Sequence, residues 1–314
     1  MIKIDVLLSE DQIAQEFLAV LARHELPEKF FYWFPLSVRA WINLCSDGAY
    51  RNFVRSHSVL QNHAEDLVSM LPTGPLEVIS LGSGQGTKDF LILEQLRKLG
   101  RTPYYRPVNS SQGLLELACL SSQDQKFDCH GLKADLSNSA HLNALKATSD
   151  DLPRLIMMLG NTLGAFDPLS MPSQLAALMR PQDFLLLDGE LFSQTETLTG
   201  YDNPINRQFA FGPLSSVGLS EPRDGMLNFS TDRDDRQPGL YRIRKHFKVA
   251  RDLTIMLAGE AVPLLSGTHI EMSSSYKYDL ETLVSLITTA GMQPLAQYTS
   301  VDKKFLTLLV TRIS

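Results

Sequence analysis

Cysteine is scarce in this chain of 314 residues: it has three, Cys45, Cys119 and Cys129. An odd, scattered set without a CxxC pair excludes a disulfide framework and makes a reducing cytoplasm the expected setting. His130 follows Cys129, but two adjacent residues make a poor metal site. The seven histidines include no HExxH spacing, so no metal is expected. Long apolar runs are missing as well. The N-terminus "MIKIDVLLSE" turns polar within ten residues, which excludes a signal-peptide core, and no run approaches a membrane span. Positive charge is in deficit, with 29 Lys and Arg against 35 Asp and Glu. Nucleic acid wants a basic field, so no such partner is expected. The basic run "RIRKHFKVAR" (242–251) reads as the solvated face of a strand. The acidic "TDRDDRQPG" (231–239) lacks the glycine and glutamate positions of a calcium loop and reads as a hairpin end.

What is present is a 44% apolar composition, enough for a packed core, and no repeat or low-complexity tract. The first seventy residues read as helical, with apolar residues at helical spacing through "DQIAQEFLAVLARH" and a dense aromatic stretch, "KFFYWFPLSVRAW". From Leu76 short apolar strands alternate with helices: "LEVISLG", "TPYYRPVN", "FDCHGLKADL", "PRLIMMLGNTLGAF" and "DFLLLDGEL" are the strands. This rhythm predicts an α/β fold, a doubly wound, mostly parallel sheet covered by helices on both faces. After Ser193 a helix and antiparallel strands follow, then a capped helix from Asp279 and a final hairpin. The expected organisation is an N-terminal helical part of a second unit (1–70), a core (71–195), an inserted β-rich segment of the second unit (196–278), and a C-terminal helix and hairpin completing the core (279–314). A cleft between the two units is the natural site.

The stretch "ISLGSGQGTKDF" (79–90) runs from a strand through Gly82, Gly84 and Gly86 into a helix. The G-x-G-x-G spacing is neither the dinucleotide fingerprint nor a phosphate-binding P-loop. A structural tight turn and a nucleoside-cofactor site both remain open for it. Two downstream positions favour the cofactor. Asn109 ends the second strand, where nucleotide-binding folds hold ribose, and Asp135 follows the third, placed to meet an adenine amino group. These placements fit S-adenosylmethionine better than NAD.

With these residues in view, the sequence resembles the histidine-specific S-adenosylmethionine-dependent methyltransferases, whose best-known members trimethylate the α-amine of histidine in ergothioneine biosynthesis. The resemblance is carried by "LPEKFFY" (26–32), "LGSGQGTK" (81–88), "YYRPVNSS" (104–111), "LGNTLGAF" (159–166), "GYD" (200–202) and "HIEMSSSYKYDLETLVSLITTAGM" (269–292), and extends over most of the chain. It implies a Rossmann-like methyltransferase core. It also implies that Gly82, Ser83 and Gly84 cradle the methionine part of the cofactor, that Lys88 meets its carboxylate, that Asp135 contacts adenine and that Gly160 lines the pocket. On the substrate side it implies Tyr32, Tyr201, Glu271 and Ser273. Glu271 and Ser273 are two apart on a strand and share one face. Tyr32 is read either as the group that accepts or orients the amine proton or as an aromatic wall, and Glu271 either as a substrate ligand or as a structural ion pair. The sequence departs from the family at two positions. The ribose-binding aspartate is Asn109, which has lost the charge, and an asparagine that helps hold the amino-acid substrate is Ala165. The functional expectation is an S-adenosylmethionine-dependent N-methyltransferase acting on a small amine or amino acid, in an unspecified oligomeric state. The alternatives are a non-catalytic or regulatory cofactor-binding relative and a nucleotide-dependent oxidoreductase.

Overall fold

The computed structural model describes residues 2–48, 50–147 and 152–313. The chain opens with β1 (Ile4–Val6), α1 (Glu10–Ala22), β2 (Glu25–Leu26), a 3₁₀ turn (Glu28–Tyr32), α2 (Pro35–Ser46) and α3 (Arg51–Ser69). α1 starts on a capping box: Ser9 and Gln12 each accept a hydrogen bond from the other's backbone N–H. Then follow β3 (Pro75–Leu81), α4 (Thr87–Lys98), β4 (Thr102–Asn109), α5 (Gln112–Asp124), β5 (Asp128–Cys129), β6 (Gly131–Lys133), α6 (Ser139–Ala144), β7 (Arg154–Met158), α7 (Met171–Leu178) and β8 (Phe184–Glu190). The remainder is α8 (Thr197–Tyr201), α9 (Pro204–Ser216), β9 (Gly225–Arg233), β10 (Leu240–Val249), β11 (Leu253–Leu257), β12 (Glu260–Leu264), β13 (His269–Tyr278), α10 (Leu280–Thr289), β14 (Met292–Thr299) and β15 (Phe305–Arg312).

The main sheet has the order β1-β6-β4-β3-β7-β8-β15-β14, with β5 beside β4. Neighbours are parallel from β1 to β8, and the terminal hairpin is antiparallel. β3, β7 and β8 are nearly continuous buried apolar runs because helices cover both faces. The chain builds outward from β3 to β4 and β6 on one side and to β7 and β8 on the other. The loops after β3 and β7 therefore diverge at the switch point, where a doubly wound sheet leaves a crevice at its carboxyl ends. This is the α/β class that the strand–helix alternation predicts.

Two local expectations change. The first seventy residues are not purely helical, since β1 extends the main sheet and β2 pairs with β13. "FDCHGLKADL" is two short strands, interrupted at His130. α3 sends Leu60, Leu67 and Val68 into the cluster formed by Leu76, Phe90 and Leu309 on the main sheet, so it belongs to the core layer. The apolar faces of α1 and α2 instead join α9 and the second sheet, whose order is β2-β13-β10-β9. The main-sheet crevice opens toward this second layer.

Candidate active site

The loop after β3 is held open by backbone geometry. Gly84 has φ +56°, and among the described residues the only atom within 4 Å of the position of a Cβ there is Trp41 Nε1, at 3.8 Å. Such a backbone favours glycine, and an open flank lets a ligand approach the chain itself. Lys88, on the first turn of α4, reaches across to the loop after β7. A Cβ on Gly160 (φ +80°) would lie 2.0 Å from its Nζ. That ammonium makes no hydrogen bond among the described residues, and it sits 5.3 Å from the Phe53 ring centroid.

Beneath the loop, Asp89 is 2% exposed and accepts a hydrogen bond from Tyr105 Oη at 2.5 Å. Burial pushes its carboxyl up to about 6, against the lowering effect of the hydrogen bonds. The folded protein thus holds this proton where the unfolded chain, near pH 4, has already released it. Its contribution to stability is complete below about pH 4 and is lost as pH climbs to 6, up to about 3 kcal/mol. Asp89→Asn keeps an acceptor for Tyr105 and removes the titration. The Tm of the variant minus that of the wild type should therefore rise between pH 4 and pH 6, and a flat difference would show that Asp89 titrates normally.

Above the loops lies a cavity of about 320 Å³, lined on its core side by Gly82, Ser83, Gly84, Lys88, Asn109, Asp135 and Gly160. All seven residues expected on the cofactor side share this one space. Asn109 Oδ1 already accepts the Ser111 N–H at 2.9 Å, so what this side chain adds toward the cavity is chiefly its amide donor. Asp135 is more engaged than sequence reading implies. Ser137 N–H and Oγ donate to Oδ1 at 2.8 and 2.6 Å, and Lys29 Nζ donates to Oδ2 at 2.6 Å. Burial raises the Asp135 carboxyl, but the Lys29 and Ser137 hydrogen bonds outweigh it and hold it below the usual value. Lys29 lies in the "LPEKFFY" segment, so the aromatic 3₁₀ turn is tied directly to the main-sheet wall of the cavity.

On the opposite side the cavity meets the second layer. Tyr32 forms an aromatic wall with Trp41 and Phe209, with ring centroids 5.2 to 5.4 Å apart. Its hydroxyl donates to Glu28 Oε1 at 2.9 Å. Burial, together with the Glu28 charge, raises the phenol well above its ordinary range, so it stays protonated at neutral pH. Tyr201 lines the cavity too. Its Oη donates to Glu190 Oε2 at 3.2 Å, lies 3.3 Å from Ser275 Oγ and accepts from Asn52 Nδ2 at 3.1 Å. Behind it, the fully buried Lys277 donates to Ser275 at 2.7 Å and pairs with Glu190 at 3.0 Å. Cys45 also lines the cavity, but burial pushes its thiol up to about 12, so it offers no nucleophile.

The structure separates Glu271 and Ser273. Between the pairs Lys245–Met272 and Ile243–Ser275, β13 spends one more residue than β10, a bulge that shifts the alternation of its side chains. Ser275 rather than Ser273 therefore reaches the cavity. Ser273 instead donates to Glu28 Oε2. Glu271 faces away and holds Arg244 through two contacts, 3.0 and 2.9 Å, so it serves as an ion pair on the strand. Lys245 and Asn161 also line the cavity, although sequence reading singled out neither. Asn161 sits at φ +61°; its Oδ1 accepts the Glu190 N–H at 2.9 Å and its Nδ2 donates to Ser275 at 3.3 Å. Cys119 and Cys129, ten positions apart, bring their sulfurs within 3.6 Å beside β4. Among the described residues no helix is long and apolar enough to cross a membrane.

Residues 12–312 match the family model described as "Histidine-specific methyltransferase, SAM-dependent". The chain belongs to this family. A relative among characterised proteins, ergothioneine biosynthesis protein 1 of Neurospora crassa, is 25% identical over 254 residues, covering 77% of this chain and 28% of its own length. The chain thus spans under a third of that relative. Similar solved structures include an S-adenosylmethionine-dependent methyltransferase from Clostridium acetobutylicum (10% identical, covering 81% of this chain and 92% of that one, TM-score 0.42). Another is the CcbJ methyltransferase of Streptomyces caelestis (11% identical, 81% and 90% covered, TM-score 0.40). The site fits the cofactor of a SAM-dependent methyltransferase family. It has an uncovered glycine backbone at Gly84, a lysine ammonium at Lys88 that is free of hydrogen bonds among the described residues, and a buried carboxylate at Asp135. When bound, S-adenosylmethionine supplies a methyl group on a sulfonium.

Proposed function

We propose that this protein transfers the methyl group of S-adenosylmethionine to the amine nitrogen of a small amino acid or related amine. One observation carries the reading: a single cavity is walled by the glycine loops of the main sheet on one side and by Tyr32, Tyr201 and Ser275 on the other. Gly82, Ser83, Gly84 and Lys88 would hold the methionine part, Asn109 the ribose, Asp135 the adenine, and Gly160 would complete the wall.

Methyl transfer is an in-line displacement: the nitrogen lone pair forms the new bond to carbon as the carbon–sulfur bond breaks. The protein must orient the amine and keep its lone pair free. Tyr32 suits the first task. Its proton is committed to Glu28, so its oxygen can accept an amine N–H, and its raised pKa argues against Tyr32 itself removing the proton. The faces of Tyr32, Trp41 and Phe209 would favour the cationic groups that meet there. The Ser275–Tyr201–Glu190–Lys277 network would position the rest of the acceptor, with Glu271 and Ser273 supporting the strand and Glu28 from behind.

The test is calorimetric titration with S-adenosylhomocysteine, followed by a methyl-transfer assay on amino acids, L-histidine among them. Wild-type protein should bind the ligand. Asp135→Ala should bind it roughly ten- to a hundredfold more weakly, the equivalent of one lost charge-assisted hydrogen bond. An undiminished affinity in the variant would place the cofactor elsewhere, and NADH binding in place of the S-adenosyl ligand would sink the reading.

A further inference from the structure

Two lysines are buried near the acceptor side of the cavity, and the protein satisfies only one of them. Lys277 has Glu190 at 3.0 Å and Ser275 at 2.7 Å. Lys245, 5% exposed, stands in the inward row of β10 with Ile243 and Phe247 and lines the cavity. Its ammonium has no hydrogen-bond acceptor among the described residues. Its nearest opposite charge is Glu28 Oε2 at 3.8 Å, beyond hydrogen-bond reach. Both Glu28 oxygens are already taken, Oε1 by Tyr32 and Oε2 by Ser273. The ammonium also rests 4.5 Å from the Phe31 ring centroid, which offers a π face but no lone pair. A buried cation with unused donors facing a cavity calls for an acceptor that arrives with the ligand.

We infer that the methyl acceptor carries a second carboxylate besides the α-carboxylate next to its reacting amine, and that Lys245 is the specificity-determining residue that binds it. The inference rests on the methyl-transfer reading above. A carboxylate offers several lone pairs to the three N–H donors of Lys245 and neutralises its charge. A neutral imidazole offers one acceptor nitrogen, and an imidazolium offers none and is repelled. Glu28, so close to the same ammonium, disfavours a more highly charged group such as a phosphate dianion. Burial alone pulls Lys245 toward its neutral form, partly opposed by Glu28. A second carboxylate would hold it charged.

The experiment titrates protein saturated with S-adenosylhomocysteine with L-glutamate, L-aspartate, L-glutamine, L-leucine and L-histidine. All five share the α-carboxylate, so the comparison isolates the side-chain end. Wild-type protein should bind glutamate or aspartate about ten- to a hundredfold more tightly than glutamine, leucine or histidine. Lys245→Met should compress that preference to within about threefold, Lys245→Arg should retain it, and both variants should keep wild-type affinity for S-adenosylhomocysteine. That shared affinity, with an unchanged circular dichroism spectrum, shows that the variants are folded. Histidine or leucine binding wild-type protein as well as the acidic amino acids, an unchanged preference in Lys245→Met, or no binding of either acidic amino acid would overturn the inference. Failure of wild-type protein to bind S-adenosylhomocysteine would instead remove the methyl-transfer reading on which it stands.

Discussion

Gly160→Ala is expected to weaken S-adenosylhomocysteine binding by roughly ten- to a hundredfold, because it dislodges a residue 72 positions earlier in the chain. The added methyl would lie 2.0 Å from Lys88 Nζ. Backbone cannot yield there, but the end of a lysine side chain can, so the ammonium moves and the carboxylate of the ligand loses its charge-assisted partner. The same substitution places a side chain at φ +80°, which costs about 1–2 kcal/mol and lowers Tm by a few degrees. The two effects separate in a double-mutant cycle. Lys88→Met should lose the affinity without the stability, and adding Gly160→Ala to it should cost little further affinity. Additive losses in affinity would show that Gly160 acts on the ligand independently of Lys88.

Lys277→Met should destabilise the protein by about 3–5 kcal/mol, a Tm decrease on the order of 10 °C. Its partner Glu190 is 4% exposed and would be left, among the described residues, with the neutral donors Asn52 (2.6 Å) and Tyr201 (3.2 Å). Ser275 would lose the donor that orients it at 2.7 Å, and Tyr201 the cation 4.8 Å from its ring centroid. Acceptor KM should therefore rise while S-adenosylhomocysteine affinity stays near wild type, since neither lysine nor glutamate belongs to the glycine-loop side. Glu190→Gln added to the methionine variant should recover part of the stability by removing the unpaired charge. An unchanged Tm in the single variant would mean that water, not Lys277, balances Glu190. Loss of S-adenosylhomocysteine binding would mean that the network supports the whole cavity rather than its acceptor side.

Much of the glycine-loop wall of the cavity was legible in the sequence. "ISLGSGQGTKDF" is a strand, a glycine turn and a helix start, all made by neighbouring residues, so pattern alone locates it. Strand order then carries Asn109, Asp135 and Gly160 to the same end of the sheet. The opposite wall was less legible. Lys245 was hidden in a basic run read as a solvated face, although Ile243 and Phe247 on either side mark its row as the inward one. The three consecutive serines Ser273–Ser275 carry no hydrophobic phase, so nothing in them announces the bulge that brings Ser275 inward and leaves Glu271 with Arg244.

Periodicity and turn chemistry act between residues a few positions apart, and they specified the doubly wound core and its glycine loop. Which charges meet is another matter. Lys29 and Asp135 pair across 106 positions, and Ser273 and Glu28 across 245. Such partners are chosen by how the two layers pack. Packing also sets the desolvation that distinguishes an idle surface lysine from Lys245, a buried ammonium with its donors turned to the cavity.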